Sequence, residues 1–302
     1  MLVTFSSFTQ TCINKLKSCG SFSTAHLYGY AALSFSEFLG RDTIRFGDIK
    51  PQTLKRYEKY LIRTSHSYNT ISTYMRMLRA IYNKAIMAGL AKFVFNLFHD
   101  VFTGIDRNHK KALEESNLKE ILTGDVKSLA LKRVQLMATA MYQLCGMPFV
   151  DLQHLDANSV VDGVLKYNRN KTGCSVNIPV NRNMFKLIKL LPISNVDLST
   201  ESGYKRYQSL LRNFNAGLKR LAKAFGVKVS ISSYTFRHSW ATNALRHHVP
   251  VEVISSALGH SDIRTTQIYL KGFDADEIGK ANSKVCKCLN VKQTTEKDFY
   301  EA

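Results

Sequence analysis

The 302-residue sequence lacks the features that mark several large classes of protein. No apolar run approaches the ~20 residues that a membrane-spanning helix requires. The start, MLVTFSSFTQTC, has no basic segment followed by an apolar core, so we expect no secretory signal. Six cysteines are too few and too scattered for a disulfide framework, and Cys286 and Cys288 lack the second pair that a zinc site needs. These absences predict a reduced, cytoplasmic protein without a membrane partner.

The usual motifs for nucleotides and metals are also missing. The sequence has no Gly-rich phosphate loop and no cluster of carboxylates of the kind that binds Mg²⁺. We therefore predict no metal, no ATP and no other cofactor.

Acidic residues are scarce relative to basic ones. There are 23 Asp and Glu against 42 Lys and Arg, which leaves a formal net charge of +19. Residues 1–111 hold 16 basic and 6 acidic side chains, and residues 112–302 hold 26 and 17, so both halves share the excess. This distribution favours a polyanion gripped from two sides, with nucleic acid as the leading candidate. The alternative is a merely soluble basic protein, and a membrane surface is disfavoured because no basic amphipathic helix stands out.

Apolar periodicity predicts that residues 1–95 form a small helical domain. A first helix is expected over 24–39, with Thr24 as its N-cap and Gly40 at its end. Its apolar face consists of Leu27, Tyr30, Ala31, Phe35 and Phe38. A second helix is expected to open at Pro51, because proline suits the first helical position.

A third helix is expected from residues 69–70 onward, and it has two distinct faces. Its apolar stripe consists of Ile71, Tyr74, Met75, Leu78, Ile81 and Tyr82. The polar residues off this stripe are Thr70, Thr73, Arg76 and Arg79. This polar face is either solvated or directed at phosphates, and we take it as a candidate DNA-binding surface. Periodicity is then lost over 96–111, which predicts a basic linker whose Lys110 and Lys111 are further candidate DNA contacts.

The remaining sequence predicts a mostly helical domain over 112–285 with a small β-meander, followed by a tail over 286–302. Helices are expected at about 114–123, 129–145, 204–225, 235–247 and 251–258. Between them, turn residues at Asp162-Gly163 and at 170–173 separate segments of strand character. Val176, Ile178 and Val180 alternate as in a half-buried strand, so Lys171 is expected at a hairpin tip. The predicted fold class is mainly α with this β-meander.

The densest motif lies in residues 234–270, YTFRHSWATNALRHHVPVEVISSALGHSDIRTTQIYL. It closely resembles the signature of the tyrosine recombinase, or phage integrase, family. The residues in register are Arg237-His238, Ala241-Thr242, Leu258-Gly259-His260, Thr265-Thr266 and Tyr269. The helical region before the linker resembles the family's SAM-like core-binding domain, and the later helix–hairpin–helix order resembles its catalytic domain. The resemblance covers about residues 22–285.

The resemblance implies a catalytic set whose chemistry can be read from the side chains. Tyr269 would attack a DNA phosphate and store the bond energy in a covalent link. Arg237 and His260 would donate to the non-bridging oxygens and stabilise the developing charge. Lys171 would protonate the departing 5′ oxygen. Gly259 is expected to end a helix in the left-handed conformation, and Ser261 or Asp262 to cap the short helix that carries Tyr269.

Three of these residues also have purely structural interpretations. His260 could serve only as a helix-end charge, Arg237 only as an ion-pair partner and Lys171 only as a solvated turn residue.

The sequence departs from the family pattern at two places. The signature histidine three residues before Arg237 is Tyr234, which can form hydrogen bonds but is not a base near neutral pH. The family also carries an earlier arginine in a motif like G-L-R-x-x-E-L. In this chain that arginine position falls on Pro148, or on Cys145 in the variant pattern, so the arginine is missing. Losing one such phosphate donor typically costs ~3 kcal/mol of transition-state stabilisation, and Lys132 or Arg133 are candidate substitutes.

The resemblance implies a site-specific recombinase that integrates, excises or inverts DNA through a 3′-phosphotyrosine. It implies double-stranded DNA as partner and a monomer that forms a homotetramer in the synaptic complex, with residues 274–290 packing on a neighbouring protomer. The ~22 residues before the first expected helix are too few for an arm-binding domain, which indicates a compact recombinase. A catalytically impaired DNA-binding protein is the main alternative, and a relaxing topoisomerase is disfavoured by the two-domain layout.

Overall fold

The computed structural model describes residues 3–106, 112–267 and 275–287. The chain folds into two compact units. One unit comprises Met1–Lys111 with Asn195–Asn213, and the other comprises Ala112–Ser194 with Phe214–Ala302. No described helix has both the length and the apolar character needed to cross a membrane.

The first unit is built on four helices: α1 Phe5–Ser18, α2 Phe22–Leu39, α3 Pro51–Arg63 and α4 Tyr68–Met87. Helix α1 was missed by the sequence analysis, which placed the first helix at residue 24. Thr4 caps α1 through a capping box with Ser7, and the helix buries Phe5, Thr9 and Cys12. The apolar stripe was hard to see because a threonine and a cysteine occupy two of its three positions.

Helix α2 buries only part of the face that was expected. Leu27 and Tyr30 are 38% and 49% exposed, whereas Ala25 and Tyr28 are buried beside Ala31 and Phe35, because α2 packs against α1 and α4. The N-cap is Ser21 rather than Thr24. The left-handed C-cap at Gly40 and the position of Pro51 at the start of α3 are as predicted. Because α2 is apolar over much of its surface, periodicity alone did not orient it.

Helix α4 separates its two faces as expected. Ser67 caps it, and the buried residues include Ile71, Met75, Leu78, Ile81 and Tyr82, while Tyr74 is half-buried. On the polar face Arg76 and Arg79 are exposed, and Thr70 and Thr73 are half-buried. The Thr73 hydroxyl donates to the Asn69 carbonyl at 2.7 Å.

The first part of the predicted linker packs into the core of this unit. Leu97, Phe98 and Val101 are buried there. The Glu58 carboxylate accepts the Phe102 N–H at 2.6 Å, and the Ser72 hydroxyl donates to the Gly104 carbonyl at 2.6 Å. Lys110 and Lys111 lie outside the described residues.

The second unit contains a three-stranded sheet among helices. Strands β1 Val160–Val161, β2 Val164–Asn168 and β3 Ser175–Pro179 pair antiparallel in the order β1-β2-β3. Val176 and Ile178 face the core and pair with Tyr167 and Leu165, so the predicted meander is confirmed. The mainly α fold class with this small sheet is confirmed as well.

The helices of the second unit are α5 Glu115–Thr123, α6 Leu129–Gln143, α7 Phe149–Leu152, α8 Arg182–Leu190, α10 Ser233–Arg246, α11 Val251–Leu258, α12 Arg264–Gln267 and α13 Ala275–Cys286. Helix α9, Glu201–Ala224, contributes its first half to the first unit and its second half to the second. The sequence analysis missed α8, which begins at the side-chain cap of Asn181.

Candidate active site

A sharp turn after α6 forms part of the candidate site. Cys145 and Gly146 both have positive φ angles, 55° and 66°, so the chain reverses immediately before Pro148 and α7. A Cβ on Gly146 would lie 2.8 Å from the Cα of Arg237, which shows how closely the turn approaches α10. Only glycine permits both this backbone conformation and this distance.

Arg237 is the residue on which the surrounding segments converge. It is only 2% exposed, and its guanidinium donates to the carbonyls of Gly146 at 3.1 Å and Leu258 at 2.6 Å. The same Nη2 contacts Nε2 of His260 at 3.0 Å. The side chain therefore joins the turn after α6, the end of α11 and the following histidine.

The structure places His260 directly after the end of α11. Gly259 is left-handed, with φ 62°, as predicted, and the His260 N–H donates to the Ser255 carbonyl. Nδ1 of His260 lies 2.8 Å from the hydroxyl of Thr266 on α12. Asp262, one of the two predicted caps, accepts the Arg264 N–H at the start of α12.

His260 is a neutral imidazole in this arrangement. Since a guanidinium can only donate, Nε2 of His260 accepts from Arg237 and the ring proton sits on Nδ1. Burial, together with the charges of Arg237, Arg169 and Lys171, lowers the pKa of His260 to about 4. His260 can donate to a phosphate through Nε2, as the sequence analysis expected, only after Arg237 releases this nitrogen and the nitrogen gains a proton.

Lys171 stands at the exposed tip of the β2–β3 hairpin, as expected. Its charge contributes to the lowered pKa of His260. The tip is fastened on both sides: the Asn170 N–H donates to Asp151 at 2.9 Å, and the Thr172 hydroxyl donates to the Gly259 carbonyl at 3.1 Å.

Tyr234 lies on α10 one turn before Arg237. Its side chain is 50% exposed, and its ring stacks against that of His238. Tyr269 lies outside the described residues, and Gln267 ends the helix that leads toward it.

The position of the missing arginine provides no cation. Burial raises the pKa of the Cys145 thiol to about 11, so this side chain is a neutral group. Pro148 is the N-cap of α7. The candidate substitutes Lys132 and Arg133 are exposed near the start of α6. The sequence analysis overlooked Arg169, which is buried beside Gly259; its place two residues before Lys171 was the available clue.

Replacing Gly146 with alanine should destabilise the second unit and displace Arg237. The new Cβ would meet the backbone of a buried helix, which we expect to cost about 1–3 kcal/mol beyond the ~1 kcal/mol penalty of a left-handed alanine. Gly163→Ala is the matched control, because Gly163 has φ 73° and open space around it. Urea unfolding of both variants measures the difference, and equal losses would contradict this account of Gly146.

The neutral state of His260 should appear in the pH dependence of stability. The unfolded imidazole takes up a proton near pH 6.5, whereas the folded one does so only near pH 4. The free energy of unfolding should therefore fall between pH 6.5 and 4 through this group, because the unfolded state binds more protons there. His260→Gln should give a flatter curve than the unmodified protein over this range, and parallel curves would refute the assignment.

Comparisons with known proteins agree with this geometry. Residues 4–96 match the model of the phage integrase SAM-like domain, and residues 111–275 match that of the phage integrase family. The tyrosine recombinase XerA of Thermococcus kodakarensis is 27% identical over 245 residues, covering 79% of this chain and 83% of the relative. XerD of Shewanella oneidensis is 41% identical over 66 residues, and this match spans only 22% of that relative's length.

Solved structures show the same fold at low sequence identity. A lambda integrase dimer bound to a core site has a TM-score of 0.62 at 13% identity, covering 90% of this chain and 81% of that one. XerH bound to a palindromic difH substrate has a TM-score of 0.61 at 15% identity, covering 86% and 79%. With family models matching most of its length, including the segment that holds Arg237 and His260, this chain belongs to the phage integrase family.

Proposed function

We propose that this protein is a site-specific recombinase that cleaves and rejoins double-stranded DNA through a 3′-phosphotyrosine intermediate. The observation that carries the proposal is the 3.0 Å contact between the buried Arg237 and the half-buried His260, at the turn to which the Lys171 hairpin is fastened. XerA, XerD and lambda integrase, to which the chain is similar, are named as a recombinase or integrase, and the lambda protein is bound to a DNA core site.

The proposed reaction begins when a DNA phosphate reaches Arg237. Its guanidinium turns from His260 toward the non-bridging oxygens, where it stabilises the charge that develops on phosphorus. Nε2 of His260 is then free to accept the phenol proton of Tyr269. The phosphate's negative charge offsets the cations that lower the pKa of His260, which makes the imidazole a better base.

Cleavage exchanges one ester for another. The phenol oxygen of Tyr269 forms a bond to phosphorus, the bond to the 5′ oxygen breaks, and that oxygen takes a proton from Lys171. Because the energy of the phosphate ester is retained, attack by a 5′ hydroxyl from either strand reverses the step and rejoins DNA. Tyr234 completes the proposed catalytic set as a hydrogen-bonding group near Arg237.

We also propose where DNA is held and how the protein assembles. The helical domain would contact phosphates through Thr70, Thr73, Arg76 and Arg79, and the linker through Lys110 and Lys111. The proposed domain limits are 1–95, 96–111 and 112–285, with a tail over 286–302. Within these limits, Leu97, Phe98 and Val101 pack with the first domain, and Asn195–Asn213 groups with it. The protein would act in the cytoplasm, as a monomer when free and as a homotetramer on paired sites, where residues 274–290 contact the neighbouring protomer.

Covalent capture tests the proposed chemistry directly. The protein and a Tyr269→Phe variant are expressed, cells are lysed in denaturing detergent, and DNA that remains attached is sequenced. We expect attached DNA only with the intact tyrosine, and its ends identify the cleavage sites. Tyr30→Phe removes an exposed tyrosine of the first unit and should retain capture.

Two other results would overturn this proposal. Attachment with the Tyr269→Phe variant would mean that another side chain is the nucleophile. Absence of attachment with the unmodified protein, while it still binds DNA in the native state, would favour a binding protein without catalysis.

The polar face of α4 should contribute to DNA affinity through phosphate contacts. For the double variant Arg76→Ala/Arg79→Ala, we expect the slope of log K against log salt to become shallower by about 1.8, since each contact contributes ~0.9. Fluorescence anisotropy on a captured duplex, titrated with KCl, measures this slope. The control Arg56→Ala/Lys59→Ala removes the same charge from exposed positions of α3. An equal change in both double variants would assign the effect to net charge rather than to α4.

A further inference from the structure

Arg169, at the end of β2, is a buried cation that leaves most of its donors unused. It is only 8% exposed. A guanidinium has five N–H donors, yet among the described residues this one makes a single hydrogen bond, from Nη1 to the Gly259 carbonyl at 3.2 Å. Its Nε is fully buried without an acceptor. Buried donors are normally satisfied, so this unsatisfied cation requires an explanation.

The nearest carboxylate does not satisfy this cation. Oδ2 of Asp151 lies 3.9 Å from Nε of Arg169, too far for a hydrogen bond, and this oxygen is itself buried without a partner. The other oxygen of Asp151 accepts the Asn170 N–H. Burial raises the pKa of the Asp151 carboxyl, because its surroundings disfavour the charged form. The N–H groups of Arg169 that lack an acceptor therefore remain available to another anion.

Arg169 and Arg237 both donate to the short turn that ends α11. The Leu258 carbonyl accepts from Arg237, and the next carbonyl, that of Gly259, accepts from Arg169. Both guanidinium charges reach the imidazole of His260, the next residue along the chain. Two arginines are thus held by the turn that leads into His260, the residue proposed to act on Tyr269.

Arg169 also approaches the segment in which the sequence lacks the expected arginine. Pro148 and Asp151 are three residues apart at the start of α7, and residues at this spacing share a helix face. Arg169 approaches Asp151 from the hairpin, so its charge is brought near the segment where the missing arginine would stand. By contrast, Arg133 lies ten residues before the end of α6, or about 15 Å along the helix axis from the Gly146 turn.

We propose that Arg169 is a catalytic residue whose free N–H groups bind the scissile phosphate beside Arg237. The assignment rests on the recombinase function proposed above. It makes the β2–β3 hairpin the source of two groups for the reaction: Arg169 neutralises the phosphate, and Lys171, two residues later, protonates the leaving oxygen. A single structural element would then deliver the charge and the proton that cleavage requires.

The test measures the rate of covalent complex formation in a single turnover on a nicked duplex that carries a captured site. We expect Arg169→Ala to slow this step about 100-fold, with duplex affinity changed by less than about threefold. The rate for Arg169→Lys should lie between those of Arg169→Ala and the unmodified protein, because lysine keeps the charge but lacks the planar guanidinium. The control Asp151→Asn keeps the acceptor for Asn170 and removes the ion pair, and it should stay within about fivefold of the unmodified protein.

A second substrate separates phosphate binding from a structural role. A methylphosphonate at the scissile position replaces one charged oxygen with a methyl group, so a cation that neutralises this oxygen matters less. On this substrate, the loss of rate in both Arg169 variants, relative to the unmodified protein, should be at least tenfold smaller. Equal deficits on both substrates, or an Asp151→Asn loss as large as that of Arg169→Ala, would overturn the assignment in favour of a structural ion pair.

The proposed function and this inference fail in different ways. If the unmodified protein forms no covalent complex, the recombinase proposal falls and this assignment falls with it. If the unmodified protein reacts and Arg169→Ala reacts equally fast, only the role of Arg169 is overturned.

Discussion

The guanidinium of Arg237 is the interaction on which the candidate site depends. A buried cation must have its donors satisfied, and the acceptors of Arg237 include the Gly146 carbonyl from one segment and the Leu258 carbonyl and His260 imidazole from another. The turn after α6, the end of α11 and the start of the following loop are thereby held in one place. Gly146 and Gly259 are both left-handed and both closely approached. A Cβ on Gly146 would meet Arg237, and a Cβ on Gly259 would meet Val176 of β3, so each position requires glycine.

The positive charges around His260 favour the binding of an anion at this site. Arg237, Arg169 and Lys171 all lower the pKa of this imidazole, and the carboxylate closest to Arg169 is 3.9 Å away. Like charges close to one another in a poorly solvated site are unfavourable until a counter-charge arrives. A phosphate would therefore relieve repulsion as well as form hydrogen bonds, so its binding should stabilise the folded second unit by linkage.

Much of this structure was accessible from the sequence where local chemistry decides the outcome. The glycine ends at Gly40 and Gly259, the proline start of α3 and the register of the meander follow from backbone preferences and two-residue alternation. Tertiary packing decided the rest. Helix α1 has a stripe that mixes polar and apolar residues, and α2 exposes Leu27 and Tyr30 because α1 and α4 cover its other side.

The candidate site was likewise predictable only in part. Motif spacing led to Arg237, His260 and Lys171, whereas Arg169 becomes significant only when the hairpin folds against Gly259. The tautomer of His260 was also inaccessible, because it depends on which ring nitrogen faces Arg237.

The hydrogen bonds at the Gly259 carbonyl determine how the β2–β3 hairpin is held. It accepts two hydrogen bonds from the hairpin, one from Arg169 and one from Thr172, so both of its lone pairs are engaged. The Thr172 bond holds the hairpin to the end of α11 independently of the Arg169 side chain. Movement of Arg169 toward a bound phosphate would leave the Thr172 bond in place. The hairpin tip, with Lys171, would remain tied to the end of α11.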